Sequence, residues 1–248
     1  EEGQIDIVSI LLNDQRVDPN KLDNNGITPF YNACQKGFIE VVKLLSNDNR
    51  VDINKPNKCG QTSFDIAYKN GHIEIVKLLL NDNRVDVNKA NQYGQTPFYV
   101  FCENGNIETV KLLLNNERVD VNKAENESGV TPFYIVCEKG HIEITMLLLN
   151  DERVDINKTN KYGETPFYIA CSKRNIEIVK LLLSDNRVDI NKANDLGVTH
   201  FYIACLEGLI EIVKLLLSDE RIDINKANQY YNRQTPFYIA CFNGHIDI

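Results

Sequence analysis

Six of the seven cysteines, Cys34, Cys102, Cys137, Cys171, Cys205 and Cys241, recur at a regular spacing, and two stand four residues before a histidine, as Cys137-x-x-x-His141 and Cys241-x-x-x-His245. A thiol and an imidazole so placed could ligate zinc or act as nucleophile and base. Zinc needs a second converging pair, yet Phe38, Asn106, Asn175 and Leu209 occupy the equivalent histidine position elsewhere. His72, His141 and His245 each follow a glycine, whereas His200 stands alone where the pattern otherwise has proline. No glycine-rich phosphate loop and no acid pair outside the repeating pattern accompanies them, so no enzymatic activity is expected of this chain, nor any catalytic, metal-binding or cofactor-binding residue. The cysteines read instead as small buried core residues. Neighbouring helices lie roughly 8 to 10 Å apart, beyond the roughly 7 Å between Cα atoms that a disulfide tolerates. Unpaired thiols at that frequency point to a reducing, cytoplasmic setting.

The regularity of the cysteines belongs to a longer period. Thr-x-Phe occurs at Thr28, Thr62, Thr96, Thr131, Thr165, Thr199 and Thr235, at intervals of 34, 34, 35, 34, 34 and 36 residues. The extra residues fall near Glu125 to Ser128 and near Tyr230 to Arg233, in polar stretches where a longer loop shifts no core position. In the unit from Gly94 to Asn122, Thr96 predicts an N-cap and Pro97 a first helical residue that has no N–H to waste. Gly105 ends that short helix. Ile107, Val110, Leu113 and Leu114 then place one apolar stripe on a second helix, with Glu108 and Lys111 outside it. Val119 and Val121 alternate with Asp120 and Asn122, a period of two that predicts a short extended arm.

The motifs Gly94-x-Thr96-Pro97-Phe98, Gly105-x-Ile107-Glu108-x-Val110-x-Leu112-Leu113 and Asp120-Val121-Asn122 resemble the ankyrin repeat, and the resemblance runs in register through the whole chain. It implies an all-α repeat solenoid of helix-turn-helix units joined by β-hairpin-like fingers. The expected organisation is one domain over 1–248, with partial repeats 1–24 and 232–248 flanking full repeats 25–58, 59–92, 93–127, 128–161, 162–195 and 196–231. Two departures from the family pattern stand out. Tyrosine replaces the usual histidine at Tyr31, Tyr99, Tyr134, Tyr168, Tyr202 and Tyr238. The loop after the second helix carries Asn83-Arg84 or Glu152-Arg153 in place of Gly-Ala, which predicts a longer loop and a weakened helix stop. The second full repeat has Ser63, Asp65 and Tyr68 in place of proline, tyrosine and cysteine, and reads as a soft point.

Charge narrows the partner. A formal net charge of −8 removes the electrostatic basis of nucleic-acid binding, and no apolar run approaches the roughly 20 residues of a membrane span. Arg16, Arg50, Arg84, Arg118, Arg153, Arg187 and Arg221 each precede an Asp by two residues and recur too regularly to specify a partner. They are expected to tie adjacent fingers, with a charged rail for an elongated partner as the alternative. Asn126-Glu-Ser128 and Asn157-Lys-Thr159 match the glycosylation pattern by chance in an asparagine-rich chain.

Specificity should lie where repeats differ, at finger tips and at the ends of first helices. Larger apolar groups occur there at Tyr93, Tyr162, Leu196, Leu206, Tyr230, Tyr231 and Phe242, which are the candidate residues for binding another protein. The resulting expectation is a protein-interaction scaffold with a concave binding face; the alternative is a structural spacer or self-assembling elastic rod. The chain begins Glu-Glu-Gly and its one methionine is Met146, so it reads as a fragment. Uncovered Ile5, Val8, Leu11 and Leu12 at one end, and Phe237, Ile239 and Cys241 at the other, would favour head-to-tail self-association.

Overall fold

The computed structural model describes residues 2–230 and 233–245. Its residues group into two compact units, Glu1–Pro97 and Phe98–Ile248. The first unit holds α1 (Glu2–Asn13), α2 (Pro29–Lys36), α3 (Ile39–Ser46), α4 (Ser63–Lys69) and α5 (Ile73–Asn81). The second holds α6 (Pro97–Glu103), α7 (Ile107–Leu114), α8 (Pro132–Lys139), α9 (Ile142–Leu149), α10 (Pro166–Ser172), α11 (Ile176–Ser184), α12 (His200–Leu206), α13 (Ile210–Leu217) and α14 (Pro236–Phe242). Each unit is an all-α stack in which first helices pack on first helices (α2 on α4; α8, α10, α12 and α14 in succession). The core is a buried phenylalanine on each first helix from α2 to α12, among them Phe30, Phe64, Phe133 and Phe167, together with the stripe Ile75, Leu79, Leu113, Leu148, Ile178 and Leu182 of the second helices.

Local chemistry starts and stops the first helices. Thr28, Thr131, Thr165, Thr199 and Thr235 accept the N–H of the tyrosine three residues on, at 3.0–3.2 Å. Proline follows at the first helical position of α2, α8, α10 and α14. Gly37 closes α2 at φ +79, and a Cβ there would come within 2.5 Å of the His72 ring in the next repeat. Backbone conformation and crowding thus both exclude a side chain. The soft point expected in α4 is offset by a capping box: Thr62 N–H and Oγ1 donate to Asp65 Oδ2 at 2.7 and 2.9 Å, and Thr62 Oγ1 accepts the Asp65 N–H. Burial raises the Asp65 pKa to about 6 despite these bonds, and Ser63 Oγ is buried without a partner.

The second helices end differently from expectation. No left-handed residue closes them: Asn47, Asn115 and Asn150 are right-handed, and Asp82 and Asp185 extended. The stop comes instead from an aspartate that turns the chain and an arginine that reaches back. Asp185 accepts the Arg187 N–H at 2.9 Å and its guanidinium at 2.5 Å, while Arg187 Nη2 donates to Leu149 O, at the end of the preceding second helix, at 2.6 Å. Arg153 does the same to Leu114 O at 2.7 Å, Arg221 to Leu183 O at 2.6 Å, and Arg84 to Ser46 O. Each arginine therefore supplies the C-cap of the repeat before it, satisfying carbonyls the helix cannot. The guanidinium also holds Asp151, Asp185 and Asp219 below the usual carboxylate range.

The fingers contain no β-strand among the described residues; they are successive turns, although Val154 and Ile156, or Val188 and Ile190, do alternate inward as expected. The arginines do tie adjacent repeats, as where Arg153 Nη1 donates to Asn116 O and Arg221 Nη1 to Asn186 Oδ1, but the most regular link from one finger to the next is asparagine. Asn122 Nδ2 donates to Arg153 O at 2.6 Å, and its Oδ1 accepts the Asp155 N–H at 2.8 Å. Asn157 holds Arg187 O and Asp189 N, and Asn191 holds Arg221 O and Asp223 N, all at 2.7–2.8 Å. In the first unit Asn20 and Asn54 bind Arg50 O with Asp52 N, and Arg84 O with Asp86 N, in the same way. Lysine adds less regular support, as where Lys226 Nζ donates to Asn191 O at 2.9 Å.

The finger tips from Asn57 to Asn194 are turns each closed by one side chain. Asn57, Asn91, Asn160 and Asn194 each accept, through Oδ1, the N–H groups two and four residues on, at 2.9–3.1 Å. At the insertion the turn is one residue longer, and Glu125 stands in place of asparagine. Its longer carboxylate takes the N–H of Glu127 and Ser128 at 2.7 Å and of Val130 at 3.1 Å. Burial pushes the Glu125 pKa up, but the hydrogen bonds from Val130, Glu127 and Ser128 prevail and hold it below the usual range.

Two outcomes follow from these ties. Asn122→Ala removes both halves of one clamp and should lower unfolding free energy by about 1–2 kcal/mol, read by urea denaturation. Asn122→Asp should fare no better, since its carboxylate would face the Arg153 carbonyl. Glu125→Gln should lower Tm at pH 7. Because the folded pKa of Glu125 is depressed, its contribution is full above the unfolded value and is lost as pH falls through the folded one. The gap between variant and wild type should therefore narrow as pH drops below about 4.

Candidate functional site

The finger-tip turns leave one residue projecting at a fixed register, two after the turn-closing asparagine. After Asn160 and Asn194 in the second unit this residue is Tyr162 or Leu196, at 55% and 47% exposure, and after Asn57 and Asn91 in the first it is Cys59 or Tyr93, also exposed; Tyr230, 67% exposed, stands two after Asn228. Backbone bonds link neighbouring tips of the second unit, from Lys161 N to Ser128 O at 2.9 Å and from Asp195 N to Tyr162 O at 3.0 Å. Lys161 also donates to Glu127 O and lies over the Tyr162 ring, 5.3 Å from its centroid. The tips are thus held by backbone and asparagine while their apolar side chains face solvent. Tyr231 lies outside the described residues.

Leu206 and Phe242 sit at successive first-helix ends. Leu206 is half-buried, and its carbonyl accepts Asn243 Nδ2 at 2.9 Å and His245 Nε2 at 3.0 Å. Phe242 is exposed and stacks on Tyr238, 6.3 Å between centroids. Phe237 and Cys241 are exposed as the sequence led us to expect, and Tyr238, which it did not single out, is exposed as well, unlike its counterparts in the other first helices. Within the second unit α8, α10 and α12 each pack against the first helix that follows, and none follows α14 among the described residues. Ile239, expected to face outward with Phe237 and Cys241, is instead buried against α12. On α1 the exposed residues are Ile7, Ile10 and Leu11; Ile5, Val8 and Leu12 are half-buried, because α1 turns that side toward α3.

The histidines have structural partners. His72 Nε2 is 3.1 Å from Gln35 O and His141 Nε2 is 3.0 Å from Glu103 O, each at the end of the preceding first helix. Asn175 serves the same purpose through Cys137 O at 2.7 Å. The tyrosines that depart from the family pattern also reach forward. Asn57 donates to Tyr31 Oη at 3.0 Å, and Tyr134 Oη donates to Glu164 at 3.2 Å, as Tyr202 Oη does to Gln234. His200 alone is buried with neither ring nitrogen hydrogen-bonded; burial, then the Lys226 charge, lower its pKa to about 3.

The seven cysteines are unpaired; Cys59 and Cys241 are exposed and the other five buried. Burial pushes Cys34 up to about 12 and Cys205 to about 11, which keeps both as thiols rather than nucleophiles. Among the described residues no group of three or more His, Cys, Asp or Glu side chains is placed to hold a metal, and no helix is long and apolar enough to cross a membrane. The chemistry available at the tips is therefore apolar and aromatic contact from a fixed backbone.

A family model described as ankyrin repeats (3 copies) matches residues 1–91, 66–160, 118–194, 147–228 and 186–248. Among solved structures, the ankyrin repeat domain of Bcl-3, described as a unique member of the IkappaB protein family, superposes with a TM-score of 0.79 at 22% identity. The alignment covers 88% of this chain and 95% of that one. At that identity the likeness is one of fold. No curated protein sequence matches the chain significantly.

Proposed function

The chain belongs to the ankyrin-repeat family, whose repeats mediate protein–protein interaction, and from that premise we propose that it is a binding scaffold whose contact face is made of finger tips and first-helix ends. The observation that carries this reading is the register of Tyr162, Leu196 and Tyr230. All three are exposed, and Tyr162 and Leu196 project from turns closed by Asn160 and Asn194. Large apolar and aromatic groups supply most interface energy, and a fixed backbone reduces the ordering cost of binding. Leu206 and Phe242 extend the apolar character to the helix ends, and Tyr93 presents the same residue type in the first unit. The partner is another protein, and the working location is a reducing cytoplasm, a setting in keeping with seven unpaired thiols.

A spacer or rod role is the reading from a different class. It would place no demand on the tips, so their apolar side chains favour the scaffold. Head-to-tail association between copies is supported by exposed Ile7, Ile10 and Leu11 on α1 and by Phe237 and Phe242 on α14. If it occurs, sedimentation should show mass rising with concentration, and Ile10→Lys should abolish the rise; a constant monomer mass refutes it.

To test the scaffold, the chain is used to capture partners at physiological salt, and the principal one is titrated back. Leu196→Ser, Leu206→Ser and Tyr230→Ser combined should weaken binding by about 100-fold or more with unchanged circular dichroism. Equivalent changes at Lys58, Lys69 and Gln92 should matter far less. Retained binding by the first variant places the contact face elsewhere.

A further inference from the structure

Three departures from the repeat pattern converge where α10 packs on α12. Arg174 closes the turn after α10 at φ +61, where Gly37, Gly71, Gly105, Gly140, Gly208 and Gly244 adopt the left-handed conformation elsewhere. A residue with a Cβ held there costs about 1–3 kcal/mol. Leu209, buried, occupies the position from which His141, Asn175 and His245 reach the carbonyls at the end of the preceding first helix, and it has no polar atom with which to do so. His200 replaces the first-turn proline of α12. It is 1% exposed, its ring lies 4.4 Å from that of Phe167 on α10, and both ring nitrogens lack a hydrogen bond. A neutral imidazole so placed forfeits its hydrogen bonds with water, and an imidazolium would face the positive end of a helix as well.

The groups around His200 offer no counter-ion. The charged group acting on it is Lys226, whose ammonium donates to Asn191 O at 2.9 Å. The helices α10, α12 and α14 carry no Asp, Glu, Lys or Arg, and burial raises the pKa of Tyr168, Cys171 and Cys205, which keeps all three neutral below pH 7. Glu211 and Lys214 of α13, like Glu177 and Lys180 of α11, lie on exposed faces. In the flanking fingers Asp189, Lys192, Asp195 and Asp223 are exposed, and Glu207 beyond α12 is too. Glu164, before α10, is engaged by Asn160 and Tyr134.

We propose that the contact between α10 and α12 is an acid-sensitive opening point, at which protonation of His200 favours a state with the ring released to water. The sign follows from linkage. His200 has a folded pKa of about 3 against an unfolded value of 6.5, so the open state binds the extra proton and the closed state loses ground as pH falls below 6.5. The ion pairs of the neighbouring loops do not share this range, because Asp185 and Asp219 are held below the ordinary carboxylate value and stay ionised at pH 5. Asp65, in the other unit, titrates with the opposite sign: its folded pKa is raised to about 6, so acid strengthens the closed form there.

Native-state amide hydrogen exchange on the whole chain at pH 7 and pH 5, expressed as protection relative to the unstructured chain at each pH, tests this. The expected result is a fall in protection of about 25-fold between the two pH values, confined to amides of α10 and α12. His200→Pro restores the residue found at this position in α2, α8, α10 and α14, and His200→Phe keeps the ring without the charge. Both should abolish the step. A fall spread evenly over α6 to α14, no fall at all, or a step of equal size surviving in both variants would overturn the proposal.

Discussion

Each finger borrows the hydrogen-bonding groups of the one before it, and the lender is an asparagine side chain. A primary amide carries the donor and acceptor of a peptide group, so Asn122, Asn157 and Asn191 each satisfy one carbonyl and one N–H of the next repeat's loop. The same loop then sends its arginine back to cap the preceding second helix. Neither bond exists within a single repeat. A repeat in isolation would leave a helix C-terminus and a finger peptide open to water, which is why these units fold only as stacks.

Magnitudes order the surface interactions. The Glu–Lys pairs on the second helices, such as Glu177–Lys180 at 2.7 Å, are exposed on both sides, screened by solvent and worth little. A guanidinium bond to a helix-end carbonyl that has no other partner is worth more, because its loss leaves the acceptor unsatisfied. Register in the stack is therefore set by uncharged asparagine and by arginine aimed at backbone, and the charge pattern contributes mainly solubility. Since the tying asparagines and arginines recur along the stack, most of the exposed variation falls at positions they do not use. Those are the tips after the turn-closing asparagine and the ends of the first helices.

Much of this was legible where the physics is local. Thr131 followed by Pro132 announces a helix start, and Gly140 its end, because cap and partner lie within a few residues. The exposure of Tyr162, Leu196 and Tyr230 was legible too, since it follows from their place in a polar turn. Partners 30 or more residues away were not. Arg187 precedes one aspartate by two residues and follows another by two; the sequence offers both, and only the fold selects Asp185. The clamp of Asn157 is hidden in the same way, in a stretch that reads equally well as an extended arm or a glycosylation pattern. The tyrosine that replaces histidine could be seen as a departure, but its hydroxyl's reach to the next finger tip, as from Tyr134 to Glu164, depends on the stacking distance.

The two kinds of irregularity in this chain show what such a stack tolerates. At Glu125 an insertion lengthens a turn, and one longer side chain closes it with three N–H bonds, leaving the clamp of Asn122 on the next repeat intact. A change that stays within a turn can be repaired there. Between α10 and α12 the departures lie on the packing surface itself, where the lost functions belong to neighbouring repeats. Leu209 cannot donate to the helix before it, and His200 brings polar atoms into a space shaped for proline. No local side chain can compensate for a missing bond between repeats. Stability in each stack is accordingly decided interface by interface, and the weakest interface is set by substitutions at positions that look merely conservative within their own repeat.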